Sequence, residues 1–143
     1  METYTITQLT KMTGIPSSTL RYYEQEGLLK NVGRTPTGQR IYTGDHVKCL
    51  DQIGCFKGAG MSLSELRRFL RYEENLENST DDMLALLENR RSSLRKQIRE
   101  QMAAYEHLLC KLDYYTAVKQ AVESGKERPR WGEYKKKRYP LDL

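Results

Sequence analysis

Thr19-Leu20-Arg21-Tyr22-Tyr23-Glu24, closed by Gly27-Leu28-Leu29, is the stretch on which the fold of this chain turns. At 100° per residue Leu20 and Tyr23 share one helix face, whereas Ser18, Arg21 and Tyr22 point away from it. A helix over 17–26 therefore has a core side and a polar side, with Ser17 and Ser18 near its start and Gly27 just past its end. Upstream, residues 7–13 carry Leu9 and Met12 at one-face spacing, and Gly14-Ile15-Pro16 breaks the pattern. Two short helices joined by so tight a break make a helix-turn-helix unit. The outward set of small polar, Arg and Tyr residues suits a helix laid in a DNA groove. Small residues let the backbone approach phosphates, and Arg supplies charge. A merely solvated polar face is the alternative reading of the same residues.

Downstream, Gly33, Pro36 and Gly38 punctuate a stretch that ends in the alternating Gln39-Arg40-Ile41-Tyr42, which reads as a small two-stranded wing. Asp45 is expected to cap a third helix running to about Lys57, ended by Gly58 and Gly60. Ser62-Leu63-Ser64-Glu65 has the form of a capping box opening a fourth.

A long element follows from about Thr80. Positions 84, 87, 91, 94, 98, 101, 105, 108, 112, 115, 119 and 122 step by three and four without slip, and nine of the twelve are apolar. That is a sustained heptad pattern. A helix over 80–122 would be roughly 65 Å long at ~1.5 Å per residue, more than a small domain can cover, so a second copy of the chain is the expected partner. Arg91, Gln101 and Lys119 on the seam would help fix register.

The 143 residues carry 24 Lys and Arg against 19 Asp and Glu, a net charge of +5. With 38% apolar residues and a mean hydropathy of −0.77, the chain is expected to have a small core, no membrane span and a cytoplasmic location. Met1–Gln8 lacks the regions of a signal peptide. Cys49, Cys55 and Cys110 are too scattered for a disulfide framework or a zinc knuckle, and His46 and His107 stand in separate elements. No nucleophile, phosphate-loop or metalloprotease motif occurs, so neither catalysis, a metal nor a cofactor is expected. The domains read as 1–76, a DNA-binding unit; 77–123, a dimerisation helix; and 124–143, a basic-aromatic tail with seven basic and three acidic side chains. Such a tail is expected to be disordered or loosely docked, with Trp131 packed back on the coil, or DNA or polymerase contact, as alternatives.

The blocks Thr19–Glu24, Gly27–Leu29, Gly38–Tyr42, Asp45 and Gly60–Leu66, in this order over roughly residues 4–72, resemble the MerR-type transcriptional regulators. The resemblance implies a mainly α protein: a winged helix-turn-helix domain followed by a long antiparallel coiled-coil helix that makes a homodimer. It further implies DNA contacts from Ser17, Ser18, Arg21 and Tyr22 of the recognition helix and from Arg34, Arg40 and Tyr42 of the wing. Physically, Arg40 could instead anchor the wing, and Tyr23 belongs to the core. Such regulators bend and untwist promoter DNA so that RNA polymerase can engage both promoter elements. Holding that distortion costs on the order of 1–6 kcal/mol, which an effector with unequal affinity for the two states can tip.

The family's metal-sensing branch keeps cysteines near the end of the dimer helix, whereas Cys110 stands in mid-helix and no Cys or His follows residue 123. The multidrug branch needs a separate ligand domain. Cys55 remains as candidate sensor of a small electrophile. It lies off the apolar face formed by Val47, Leu50, Ile53 and Phe56, two turns from Lys48, and precedes Lys57–Leu63 as in the aldehyde- and thiol-stress regulators. Packing of Cys55 against a partner coil is the alternative. The competing class for the whole chain is a coiled-coil scaffold whose basic faces hold an acidic partner.

Overall fold

The computed structural model describes residues 1–139 and divides into two compact units, the first Met1–Arg91 and the second beginning at Ser92. In the first, β1 (Thr3–Tyr4), α1 (Ile6–Thr13), α2 (Ser17–Gln25), β2 (Gly33–Arg34), β3 (Arg40–Thr43), α3 (Gly44–Gly58) and α4 (Leu63–Glu74) follow in order. The start of α5 (Leu76–Glu123) completes it. The helix-turn-helix is α1 and α2. Gly14 ends α1 at φ 73°, a left-handed conformation that a residue with a Cβ adopts only at a cost.

The wing is a three-stranded antiparallel sheet in the order β1-β3-β2, with Thr3 opposite Thr43 and Gly33 opposite Ile41. β1 was not expected, because two residues are too short to show a period of two. The cap of α3 also differs from expectation. Thr43 takes that position rather than Asp45, and its N–H donates to His46 Nδ1 at 2.9 Å. His46 Nε2 then donates to the Lys30 carbonyl at 2.7 Å, so one buried imidazole ties α3 to the chain leaving α2. The box on α4 is as expected: Ser62 Oγ accepts from Glu65 N–H, and Glu65 Oε1 from Ser62 N–H.

The core gathers Leu9, Leu20, Tyr23, Leu28, Leu29, Tyr42, Leu50, Ile53, Met61, Leu66 and Phe69, each burial contributing about 1.5–3 kcal/mol. Met83 and Leu86 of α5 join the same core. Arg90 reaches back to the α3–α4 turn, where it donates to the Gly60 carbonyl at 3.0 Å and pairs with Glu65 at 3.5 Å. Gly60 holds φ +86°, a left-handed conformation that favours glycine, with Arg90 Nη1 3.0 Å from where a Cβ would sit. These contacts carry the first compact unit to Arg91.

The second unit is the rest of α5 with the tail folded onto it. Trp131, at the start of α6 (Trp131–Tyr134), packs edge-on against His107 and Tyr114, and Tyr134 meets Tyr114 at 5.6 Å. Lys111 Nζ lies 3.7 Å from the centre of the Trp131 ring. Asp113 accepts from Tyr139 Oη at 2.5 Å, which holds that phenol's pKa well above its ordinary value, and pairs with Lys137 at 3.6 Å. Arg138 pairs with Glu106 at 3.3 Å. The expectation of a loose tail is therefore corrected for 131–139: four aromatic rings, a stacked cation and two ion pairs outweigh the composition. Residues 140–143 of that tail lie outside the described residues. At 100° per residue the docked positions, Glu106, Cys110, Asp113 and Ala121 among them, centre opposite Tyr105, Leu108, Leu112 and Tyr115. The tail thus covers the back of the helix and leaves its heptad seam bare. Among the described residues no helix is long and apolar enough to cross a membrane.

Candidate nucleic-acid interface

The outward face of α2 begins at its uncapped start. Pro16 occupies the cap position and provides no side-chain hydrogen bond, so the first amide groups are left to an external acceptor. Ser18, Arg21 and Tyr22 are exposed and Ser17 is half-buried, whereas Leu20 and Tyr23 are in the core, as their spacing requires. Tyr23 Oη also accepts from Lys57 Nζ at 3.2 Å.

The wing is held against this helix by one carboxylate. Glu24 accepts from Arg40 Nε at 2.6 Å and pairs with Arg34 at 3.4 Å. Arg34 also donates to the Gly38 carbonyl at the wing's tip, at 3.1 Å. The bond to Glu24 holds the Arg40 guanidinium firmly charged, its pKa moved further up. Among the described residues Nε is the Arg40 nitrogen engaged, which leaves its terminal nitrogens as free donors, so anchoring and anion contact are compatible. Sequence reasoning missed Glu24 as the joint. It lies one turn after Arg21, but its partners come from a strand whose placement no local spacing reports.

Between α1, α2 and the wing lies a cavity of about 390 Å³ lined by Thr5, Thr7, Arg21, Gly38, Gln39 and Arg40. Two guanidinium groups and two threonines, with no carboxylate in the lining, fit an oxyanion such as a backbone phosphate. Thr5, Thr7 and Gln39 carried no motif of their own and were not expected here.

Tyr42 departs from expectation. It is 0% exposed, packed under the wing with the His46 ring edge-on at 5.6 Å. Strand alternation turns it inward between Ile41 and Thr43. It cannot touch DNA from this position, so the contact assigned to it is withdrawn. Its hydroxyl is buried without a hydrogen-bond partner, and burial raises its pKa, with Glu24 adding to the effect and the nearby arginines opposing it. Tyr42→Phe is therefore expected to raise unfolding stability by about 1 kcal/mol, read by urea denaturation, and to leave DNA affinity unchanged. A loss of DNA affinity would restore the contact.

Cys55 is exposed on α3, Cys49 is half-buried with Sγ donating to the Leu28 carbonyl at 3.4 Å, and Cys110 is buried under the tail. Burial, with Glu73 nearby, raises the Cys49 pKa and disfavours its thiolate. Among the described residues no group of His, Cys, Asp and Glu is arranged to hold a metal ion.

Comparison with known proteins gives one answer. A family model described as MerR HTH family regulatory protein matches residues 4–73, and one described as MerR, DNA binding matches 47–109. An HTH-type transcriptional regulator of Haemophilus influenzae is 35% identical over 117 residues, 82% of this chain and 87% of that protein. The regulator YfmP of Bacillus subtilis is 32% identical over 129 residues, 90% of this chain and 89% of its own. Among solved structures, HiNmlR, described as a MerR family regulator lacking the sensor domain and bound to promoter DNA, aligns with a TM-score of 0.74. It is 34% identical, over 87% of this chain and 92% of its own.

Proposed function

We propose, from the premise that this chain belongs to the MerR family of helix-turn-helix transcriptional regulators, that it binds promoter DNA as a homodimer and controls RNA polymerase by distorting that DNA. The observation that carries the reading is the joint at Glu24, which pairs with Arg34 and holds Arg40 of the wing beside Arg21 of α2 around one anion-fitting cavity. Ser17, Ser18 and Tyr22 complete the contact set from the recognition helix. The exposed seam supports the dimer: Leu84, Ile98, Tyr105, Leu108, Leu112, Tyr115 and Val122 are each between 47% and 65% exposed in the single chain. A monomer leaving so regular an apolar stripe in water is unfavourable, and a second copy removes it. Sedimentation of the protein with a duplex from upstream of its own gene tests this; two chains per duplex are expected, and one chain per duplex overturns the dimer.

Cys55 serves in this reading as the sensor of a small electrophile, because it is the exposed thiol of the winged unit and lies at the end of α3 beside the α3–α4 turn. Cys55→Ser is expected to bind DNA with unchanged affinity and to lose transcriptional induction by a small aldehyde. Full induction in the variant reduces Cys55 to a packing residue.

A further inference from the structure

Between the chain leaving α2, the first half of α3 and the end of α4 lies a cavity of about 510 Å³, wholly within the first compact unit. It shares no lining residue with the oxyanion cavity beside the wing. Its apolar wall is Leu28 and Leu29, both buried, with Leu70 and the half-buried thiol of Cys49. The polar groups at this depth are already bonded: Cys49 Sγ donates to the Leu28 carbonyl, and the His46 ring nitrogens are engaged by Thr43 and Lys30. Such a wall receives hydrocarbon without leaving a polar group stranded. The charged side chains around it are Lys30, Asp45, Glu73 and Glu74. Lys30 Nζ is taken by Glu74 at 2.6 Å, whereas neither Asp45 nor Glu73 is in an ion pair among the described residues. Asp45 sits in the first turn of α3, where the helix dipole favours a carboxylate. Glu73 sits in the last turn of α4, where the dipole opposes one, so its charge is relieved by nothing in its own unit.

We propose that this cavity binds a small organic cation, a protonated amine on an apolar body, with the body against Leu28, Leu29 and Leu70 and the ammonium facing Glu73. A charge-assisted hydrogen bond from the ammonium supplies what Glu73 lacks. A neutral molecule of the same shape leaves that carboxylate unpaired, and an anion meets repulsion from it. The volume falls in the range of small-ligand pockets, about 300–1,000 Å³. Binding here is reversible rather than covalent, because burial and Glu73 raise the Cys49 pKa and keep the thiol protonated. The site is distinct from Cys55, which lies six residues further on, about 9 Å along the α3 axis. It therefore stands or falls independently of the sensor role given to that residue.

Titration calorimetry of the full chain with phenethylamine tests the site, with phenethyl alcohol and hydrocinnamate as neutral and anionic controls of similar shape. The amine is expected to bind once per chain, at least about tenfold more tightly than either control. Glu73→Gln, with native helix content by circular dichroism, is expected to lower the amine to the affinity of the alcohol and to leave the alcohol unchanged. Peptide mass spectrometry after brief treatment with N-ethylmaleimide locates the ligand: the amine should slow labelling of Cys49 and not of Cys55. Failure of the amine to bind, equal binding of all three probes, or an unchanged affinity in Glu73→Gln overturns the proposal. So does binding that leaves Cys49 labelling untouched, which places the amine elsewhere. If Cys49 is already protected in the wild type and becomes labelled in Leu108→Asp/Leu112→Asp, a second copy of the chain covers the cavity and the proposal fails.

Discussion

Leu108→Asp/Leu112→Asp is expected to convert the dimer to a monomer and to weaken promoter binding by about two to four powers of ten. Both side chains are exposed, at 60% and 65%, on consecutive layers of the heptad seam, and neither belongs to the core of the winged unit. The fold of that unit and its Arg21 surface therefore survive the change. What is lost is the link between two half-sites. A single winged unit offers only a few phosphate contacts, and the second unit binds at the high effective concentration that the coil imposes. Four carboxylates placed in an apolar seam cannot be desolvated and do not pair with one another. Sedimentation and a mobility shift on the same sample read the two effects together. A variant that is monomeric yet binds as tightly as wild type would separate dimerisation from DNA binding.

Arg21→Ala is expected to lower promoter affinity by roughly a hundredfold to ten-thousandfold, since a hydrogen bond from a charged group is worth about 1.5–3 kcal/mol and the dimer loses two. The dimer is unaffected, because Arg21 lies on the outward face of α2 and lines the oxyanion cavity with Arg40. The salt dependence distinguishes a phosphate contact from a loss of fold. Each chain loses about one phosphate contact, so the slope of log affinity against log salt should become shallower by about two for the dimer. Unchanged affinity in this variant would falsify the assignment of α2 as the recognition helix.

Much of this was legible in the residues because the signals were local. Leu20 and Tyr23 against Arg21 and Tyr22 set the faces of α2, Ser62 and Glu65 set the start of α4, and twelve heptad positions set the seam. What escaped depended on contacts between distant segments. β1 has two residues and exists only because β3 offers it an edge. Tyr42 looked like a wing contact until the pairing of β3 turned it inward. Glu24 reads as one more helix carboxylate until Arg40, sixteen residues later, meets it at 2.6 Å. The tail reads as solvated by its charge, yet Trp131 and Tyr134 find Tyr114 and His107 at helical spacing on the one face of α5 that the seam leaves free.

The measurement that bears most directly on the central claim is a footprint on the DNA upstream of the protein's own gene, at two salt concentrations. A protected two-fold symmetric site, with sites of enhanced cleavage at its centre where the duplex is distorted, is the expected result. Protection should weaken steeply as salt rises if, as proposed, Arg21, Arg34 and Arg40 contact phosphates. A protected site with no two-fold symmetry, or one indifferent to salt, would contradict a dimer that clamps phosphates through Arg21, Arg34 and Arg40.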